Sequence, residues 1–387
     1  MITLQTAENA LKNVYLGTIT DIMNTKINPL MTKIQATASD VWGKEIHTAA
    51  RVGINGGFGA GSEVGPLPEA KGSDYLQFVT TLKNLYGKIE ISDKAIRAGV
   101  EGVGAFTDIL NSEIEGLINA SKFNFGRMLY GNGSGLLGTV GDMFEPFYSV
   151  DNLNNFIPGM LIDVYSPKGT LVCSKTRVSA IVYEDSSIVI PDLDAGVIEK
   201  GAKLYVQGSK DNELTGLGRI FDESIDKLYG VSKNSHPEIK PYVKNLNGAF
   251  SETTLEEVID AVQNRTNSTI NFISASATAK YAYQEFMAQF KRNIDVMKLD
   301  GGFNSLSYNG IPFVYDKFVK DGDMYLLDTD KFKLHQLCDW RYLENSNGKI
   351  LHQKEDKPVY SATLVKYCDL VCSNPAGQAK ITNISRV

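Results

Sequence analysis

The residue pattern predicts an α+β fold: an N-terminal arm, an extended β-hairpin, one long helix acting as a spine, and an inserted small β domain. Three observations carry that reading. Apolar residues recur at helical spacing in some segments and alternate at strand spacing in others, without a regular strand–helix succession. One helical stripe, from Leu110 to Met128, is long for a globular helix. Between residues 146 and 221 a series of short strands with regular turn signals sits between helical segments. The composition fits a folded chain. Of 387 residues, 43% are hydrophobic and 22% charged, which is ordinary globular usage and enough for a core without disulfides or metals.

In chain order, Leu4, Ala7, Leu11, Val14, Thr18 and Ile22 step by three and four and form one helical face, ending before Asn28-Pro29. One stripe cannot fold alone, so residues 1–42 read as an arm lying against something else. Ile46, Thr48, Ala50, Val52 and Ile54 then alternate with Glu45, His47, Ala49, Arg51 and Gly53, which is strand spacing. A glycine-rich stretch at 56–62, Pro66, Pro68 and a second extended run from Tyr75 to Leu82 complete a long hairpin over 43–84. It holds too few apolar residues to build its own core, and such a hairpin lies over another chain.

Lys88-Ile89-Glu90-Ile91-Ser92 reads as a short strand. Leu110, Ile114, Leu117, Ser121, Phe125 and Met128 follow as a helix, with Thr107 or Asp108 as its cap and Gly131-Asn132-Gly133 as its stop. Roughly 23 residues at 1.5 Å each make a rod of about 35 Å. In the inserted domain the expected strands are Met160–Tyr165, Thr170–Ser174, Val178–Tyr183, Ser187–Ile190 and Lys203–Gln207. After a connector over 222–249 come a helix capped at Ser251, a strand at Asn271–Ser274 and a helix from Ala277 to Phe290. Strands at Ile311–Tyr315, Met324–Leu327 and Lys333–Leu337 complete a compact α+β unit over 250–345. The tail is extended, with its best strands at Val359–Val365 and Asp369–Cys372.

Charge and cysteine usage narrow the function. Lys plus Arg number 39 against 45 Asp plus Glu, a formal net charge of -6, whereas proteins that grip phosphate backbones carry a basic surplus. Four cysteines are too few for a disulfide scaffold and fit a reducing compartment. No basic-then-apolar leader opens the sequence, and no apolar run reaches membrane-spanning length.

The search for chemistry returns bland readings. Gly131-Asn132-Gly133-Ser134-Gly135-Leu136 has the glycines of a phosphate loop but lacks its lysine and follows a helix, so it reads as a terminating turn. Gly53, Gly56, Gly57, Gly59 and Gly61 precede no helix and read as a hairpin tip. His335 with Cys338, and Cys368 with Cys372, have metal-ligand chemistry but fall in strands at unusual spacing. His47, His236 and His352 belong to no zinc-protease motif, and Cys173 stands alone. Asp192 and Asp194 sit in a turn that their own backbone bonding explains. The expectation is no catalytic residue, no metal, no cofactor and no enzyme activity.

Three local motifs carry a resemblance. Leu85-Tyr86-Gly87-Lys88-Ile89-Glu90-Ile91-Ser92-Asp93, Met128-Leu129-Tyr130-Gly131-Asn132-Gly133-Ser134-Gly135 and Asp369-Leu370-Val371-Cys372-Ser373-Asn374-Pro375-Ala376 fall in the order arm, hairpin, spine, α+β unit and final strands. In that order the chain resembles the major capsid proteins of tailed bacteriophages, the Hong Kong 97-type fold, over nearly all of its length except 146–221.

The resemblance implies a virion shell protein that assembles with copies of itself into hexamers and pentamers around double-stranded DNA, without specific DNA binding. Assembly takes place in the host bacterial cytoplasm. Residues 85–145 and 346–387 would form the peripheral domain and 250–345 the axial domain. A portal would be a partner; since the family-like region begins near residue 29 and no scaffold domain precedes it, the expectation is a separate scaffolding protein or assembly directed by the arm alone, and a decoration protein could bind. Some relatives cross-link a hairpin lysine to a C-terminal asparagine beside an acidic base. Here Lys71 is present, but Lys357-Pro358-Val359-Tyr360-Ser361-Ala362-Thr363 offers no asparagine and Lys366-Tyr367-Cys368 no acid, so the shell should be uncross-linked. The alternatives are an encapsulin-like compartment shell and a phage tail or baseplate protein.

Overall fold

The computed structural model describes Leu16 and residues 28–94, 103–191, 196–266, 268–289, 296–298 and 304–386. The arm stripe therefore lies outside the described residues. The chain divides into two compact units. One holds 83–218 and 338–368, the other 29–82, 219–337 and 369–386.

In the first unit, strand Lys83–Ser92 pairs antiparallel with Val359–Cys372, in register from Ser92 opposite Val359 to Lys83 opposite Cys368. Its burial alternates strictly after Lys83, with Leu85, Gly87, Ile89 and Ile91 inward. That face receives the long helix Val103–Tyr130. A Cβ on Gly87 would meet Leu117 Cδ1 at 2.9 Å, so a side chain there would push the leucine aside.

The helix has 28 residues, a rod of about 42 Å. It runs through the expected caps, Thr107 and Asp108. Either residue costs a helix interior only tenths of a kcal/mol, and the helix starts upstream of both, at Val103. Its stop falls where expected, at Tyr130, with Gly133 and Gly135 at positive φ. From Phe125 to Tyr130 every residue is buried, so the last turns are enclosed on all sides rather than along one stripe.

The inserted β segment is a seven-stranded sheet in the order Ala180–Val182, Ser187–Val189, Phe147–Val150, Leu136–Phe144, Lys203–Val206, Leu161–Tyr165, Leu171–Arg177. Its neighbouring pairs are antiparallel. The sheet begins at Leu136, upstream of the expected boundary at 146, because the chain enters a strand directly from the helix stop.

In the second unit, seven strands line up as Tyr242–Ala249, Ala379–Ser385, Met324–Leu327, Phe272–Ala275, Ile311–Tyr315, Asn304–Tyr308, Val296–Lys298. Helices Glu252–Thr266 and Ala277–Gln289 cover it. Leu255, Val258, Val262, Ala279 and Tyr283 share one core with Ile273, Phe313, Leu326 and Ile381, and the Tyr283 and Phe313 rings stack at 4.7 Å. Ser251 Oγ accepts from Thr254 N at 3.3 Å, the expected cap. The outermost parallel pair, Tyr242–Ala249 with Ala379–Ser385, draws on residues expected to be a connector and a plain extended tail.

The tail differs in one further respect. Instead of separate strands at 359–365 and 369–372, one strand of 14 residues runs through. Lys366, which breaks the apolar pattern, is only 1% exposed; its Nζ donates to Asp339 Oδ1 at 2.8 Å and lies 5.5 Å from the Trp340 ring centroid.

Candidate assembly surfaces

The hairpin is where apolar residues and solvent meet most directly. Its strands, Glu45–Arg51 and Tyr75–Thr81, pair antiparallel, with Thr48 opposite Phe78 and Arg51 opposite Tyr75. Strand alternation puts Ile46 and Ala50 on one face, and Ile46, Ala50 and Phe78 are each 1% exposed. The opposite face is polar. There His47 Nε2 lies 3.1 Å from Glu45 Oε2 and Gln77 Nε2 lies 3.1 Å from His47 Nδ1.

The root of the hairpin is tied into its unit at several points. Phe78 packs on Tyr229, ring centroids 5.3 Å apart. Val79 N donates to Tyr229 O at 2.9 Å. The Tyr229 hydroxyl donates to Leu370 O at 3.2 Å and accepts from Cys372 N at 3.1 Å. Its complete burial holds the phenol well above its ordinary pKa, so it stays a donor. Thr80 Oγ1 donates to Asp369 Oδ2 at 2.8 Å. His47 N donates to Asp40 O at 3.0 Å, and next to Asp40 the Ser39 carbonyl accepts from His335 Nδ1 at 3.1 Å. Burial lowers the His335 pKa, so the ring is a neutral donor.

The tip is built oppositely. Val52 N and Gly53 N both donate to Asp74 O, at 3.0 and 3.3 Å, and beyond them the strands part. Ile54 is 86% exposed, Phe58 and Val64 98%, and Leu67 89%. Full burial of such side chains contributes about 1.5–3 kcal/mol each, so these four represent roughly 6–12 kcal/mol that the free chain leaves unrealised. The inserted sheet adds a smaller apolar row. Phe144 stands opposite Phe147 and Phe147 opposite Val189, with Phe144 82% exposed.

The residues weighed for chemistry are dispersed or occupied. His335 is buried in the contact just described. Cys368 and Cys372 are buried on one strand, no disulfide joins the four cysteines, and desolvation pushes the Cys372 thiol far up. His236 faces Glu238 at 2.8 Å, and His352 Nε2 lies 3.4 Å from Leu343 O. Among the described residues no three His, Cys, Asp or Glu side chains gather as a metal site. Asp192 and Asp194 lie outside the described residues. Asn132 Oδ1 accepts from Ser134 N and Oγ, closing the glycine-rich turn as a helix stop. A cleft of about 210 Å³ lined by Thr269, Asn271, Asp328, Asp330 and Lys331 is polar, and its Asn271 Oδ1 is taken by Thr329.

Against solved structures, the chain aligns with the capsid asymmetric unit of cyanophage A-1(L). The alignment covers 97% of this chain and 93% of that one, at 12% identity and a TM-score of 0.55. The fold is that of a phage capsid subunit. Weaker likenesses are a mycobacterium phage Bobi structure, at 7% identity over 99% of this chain and 98% of that chain with a TM-score of 0.45, and the holo-SrpI encapsulin complex of Synechococcus elongatus PCC 7942. The latter aligns at 11% identity over 93% of this chain and 89% of that chain, with a TM-score of 0.46. No protein-family model and no curated protein sequence matches the chain.

Proposed function

We propose that the chain is the major capsid protein of a tailed bacteriophage, self-assembling into the icosahedral shell that encloses double-stranded DNA. The observation that carries this reading is the hairpin, whose apolar tip has its natural partner in a neighbouring copy. The capsid fold supports it, and so does the formal charge of -6, since an acidic wall holds packed DNA only weakly. In this reading 1–42 is the arm, 43–84 the extended loop, 85–145 and 346–387 the peripheral domain, 146–221 the inserted domain, 222–249 a connector and 250–345 the axial domain. The role is structural rather than enzymatic. Its partners are further copies, a portal and a scaffolding protein, with room for a decoration protein, and assembly takes place in the host cytoplasm.

Electron microscopy of the expressed chain, alone and with the products of neighbouring genes, tests the proposal. Closed shells are expected; tubes or plates would favour a tail or baseplate protein, and shells loaded with an enzyme cargo a compartment. The shell is held without covalent cross-links. Boiled, reduced particles should run as one band near 42.5 kDa, and a ladder of multimers would contradict this.

A further inference from the structure

The end of the long helix and the return leg of the inserted sheet are fastened to each other more tightly than a linker requires. The chain leaves the helix through 131–135, forms the sheet, and comes back through 207–218. On the way back Glu213 meets Arg127, in the last turn of the helix. Arg127 Nη1 donates to Glu213 Oε2 at 2.9 Å and Nη2 to Glu213 Oε1 at 2.5 Å, in bidentate geometry. The two side chains are 4% and 3% exposed, so neither charge can leave without stranding the other away from water.

Three residues further on, the backbone itself touches the helix end. A Cβ on Gly216 would lie 2.3 Å from Met128 O and 2.6 Å from both Leu129 O and Gly131 O. A Cβ on Gly218 would lie 2.9 Å from Tyr130 O. These are the carbonyls at the end of the helix, where the ladder runs out, and the return leg is packed on them with no room for a side chain. The outgoing and returning legs also hold each other. A Cβ on Gly135 would lie 2.5 Å from Ser209 O, and Asp211 N donates to Ser134 O at 2.8 Å. Leu214 and Leu217, both fully buried, fill the space between these contacts.

We propose that Arg127–Glu213 and the close contacts of Gly216 and Gly218 form a clamp that makes the inserted sheet and the long helix one mechanical body, so that a load on the sheet is carried into the helix end. The sheet is then not a module that folds and swings by itself. Whatever binds it also holds the helix, and whatever displaces it displaces the helix.

Hydrogen exchange of the full-length, unassembled wild-type chain under rising sub-denaturing urea tests this, because it reads which segments open together. Residues 114–130 and 136–206 should open in a single step, with the same denaturant dependence. Opening of 136–206 at lower urea while 114–130 stays protected would overturn the proposal. Glu213→Leu, which leaves Arg127 buried without its partner, should raise exchange in both segments by the same factor, on the order of a hundredfold. The helix Glu252–Thr266 should keep its wild-type rates. A rise confined to 207–218, or no rise, would also overturn the proposal. The wild-type experiment stands even if the variant fails to fold, and neither arm depends on shell formation.

Discussion

The root and the tip of the hairpin belong to one excursion of the chain and carry similar residues, yet they meet opposite fates. At the root, Phe78, Ile46 and Ala50 are buried against their own unit. At the tip, Ile54, Phe58, Val64 and Leu67 stand almost wholly in solvent. The hydrophobic effect acts equally on both, so the difference is whether the chain supplies the other half of the contact. At the root it supplies Tyr229 and the backbone of Leu370 and Cys372. At the tip no described residue of the chain supplies that half. In the proposed shell, an element anchored at one end and exposed at the other would connect subunits.

The sharpest way to break this comparison is to remove the tip. Deleting Gly53–Leu67 should leave a soluble, folded subunit and abolish shells in micrographs; normal particles would show that the tip joins nothing. Next come single truncations. Phe78→Ala should cost the isolated subunit about 3–5 kcal/mol in urea unfolding, whereas Phe58→Ala should stay within about 0.5 kcal/mol yet slow assembly followed by light scattering. Equal losses of subunit stability would erase the distinction. A smaller effect is expected from Thr80→Val, which takes the hydroxyl donor from buried Asp369 and should cost about 1–3 kcal/mol in the same unfolding assay.

The smallest effect concerns acid. Burial depresses the His335 pKa below its ordinary 6.5, against weaker raising by the Ser39 carbonyl and Asp40. Below pH 6.5 the unfolded chain therefore binds a proton that the folded chain does not. The stability this histidine contributes is present above that pH and lost as pH falls toward the folded value. Thermal melts of the wild type should drop between pH 7 and roughly pH 5, and His335→Gln should flatten that slope. An unchanged slope would remove His335 from the set of root anchors.

Much of the fold was legible because period and punctuation agree. Strands Ile311–Tyr315 and Met324–Leu327 fall where alternation and turn residues put them, the helix after Ser251 starts where its cap puts it, and the helix from Ala277 ends within a residue of expectation. What escaped has physical reasons. Lys366 reads as a gap between two strands, since nothing in the sequence says that Asp339, 27 positions upstream, will neutralise it inside the sheet. Tyr242–Ala249 carries Asn245, Asn247 and Gly248, poor strand formers, and is a strand because Ala379–Ser385 pairs with it. The hairpin was readable as a hairpin from alternating runs on either side of a glycine- and proline-rich tip. The Arg127–Glu213 contact was not, because it joins residues 86 positions apart with no local pattern in either.

In the proposed shell, the sparse bonding of the hairpin tip would bear on how errors are corrected during assembly. A single turn, Gly65 N to Ser62 O at 3.1 Å, folds the far end of the loop. Fixing a loosely bonded residue costs about 1–2 kcal/mol in conformational entropy, so ordering roughly half a dozen tip residues already offsets most of what burying four apolar side chains contributes. Each hairpin contact is then individually weak, and a misplaced subunit can dissociate before its neighbours trap it. Permanence comes only when several such contacts close around the same subunit, which makes the shell's durability a property of completion rather than of any one joint.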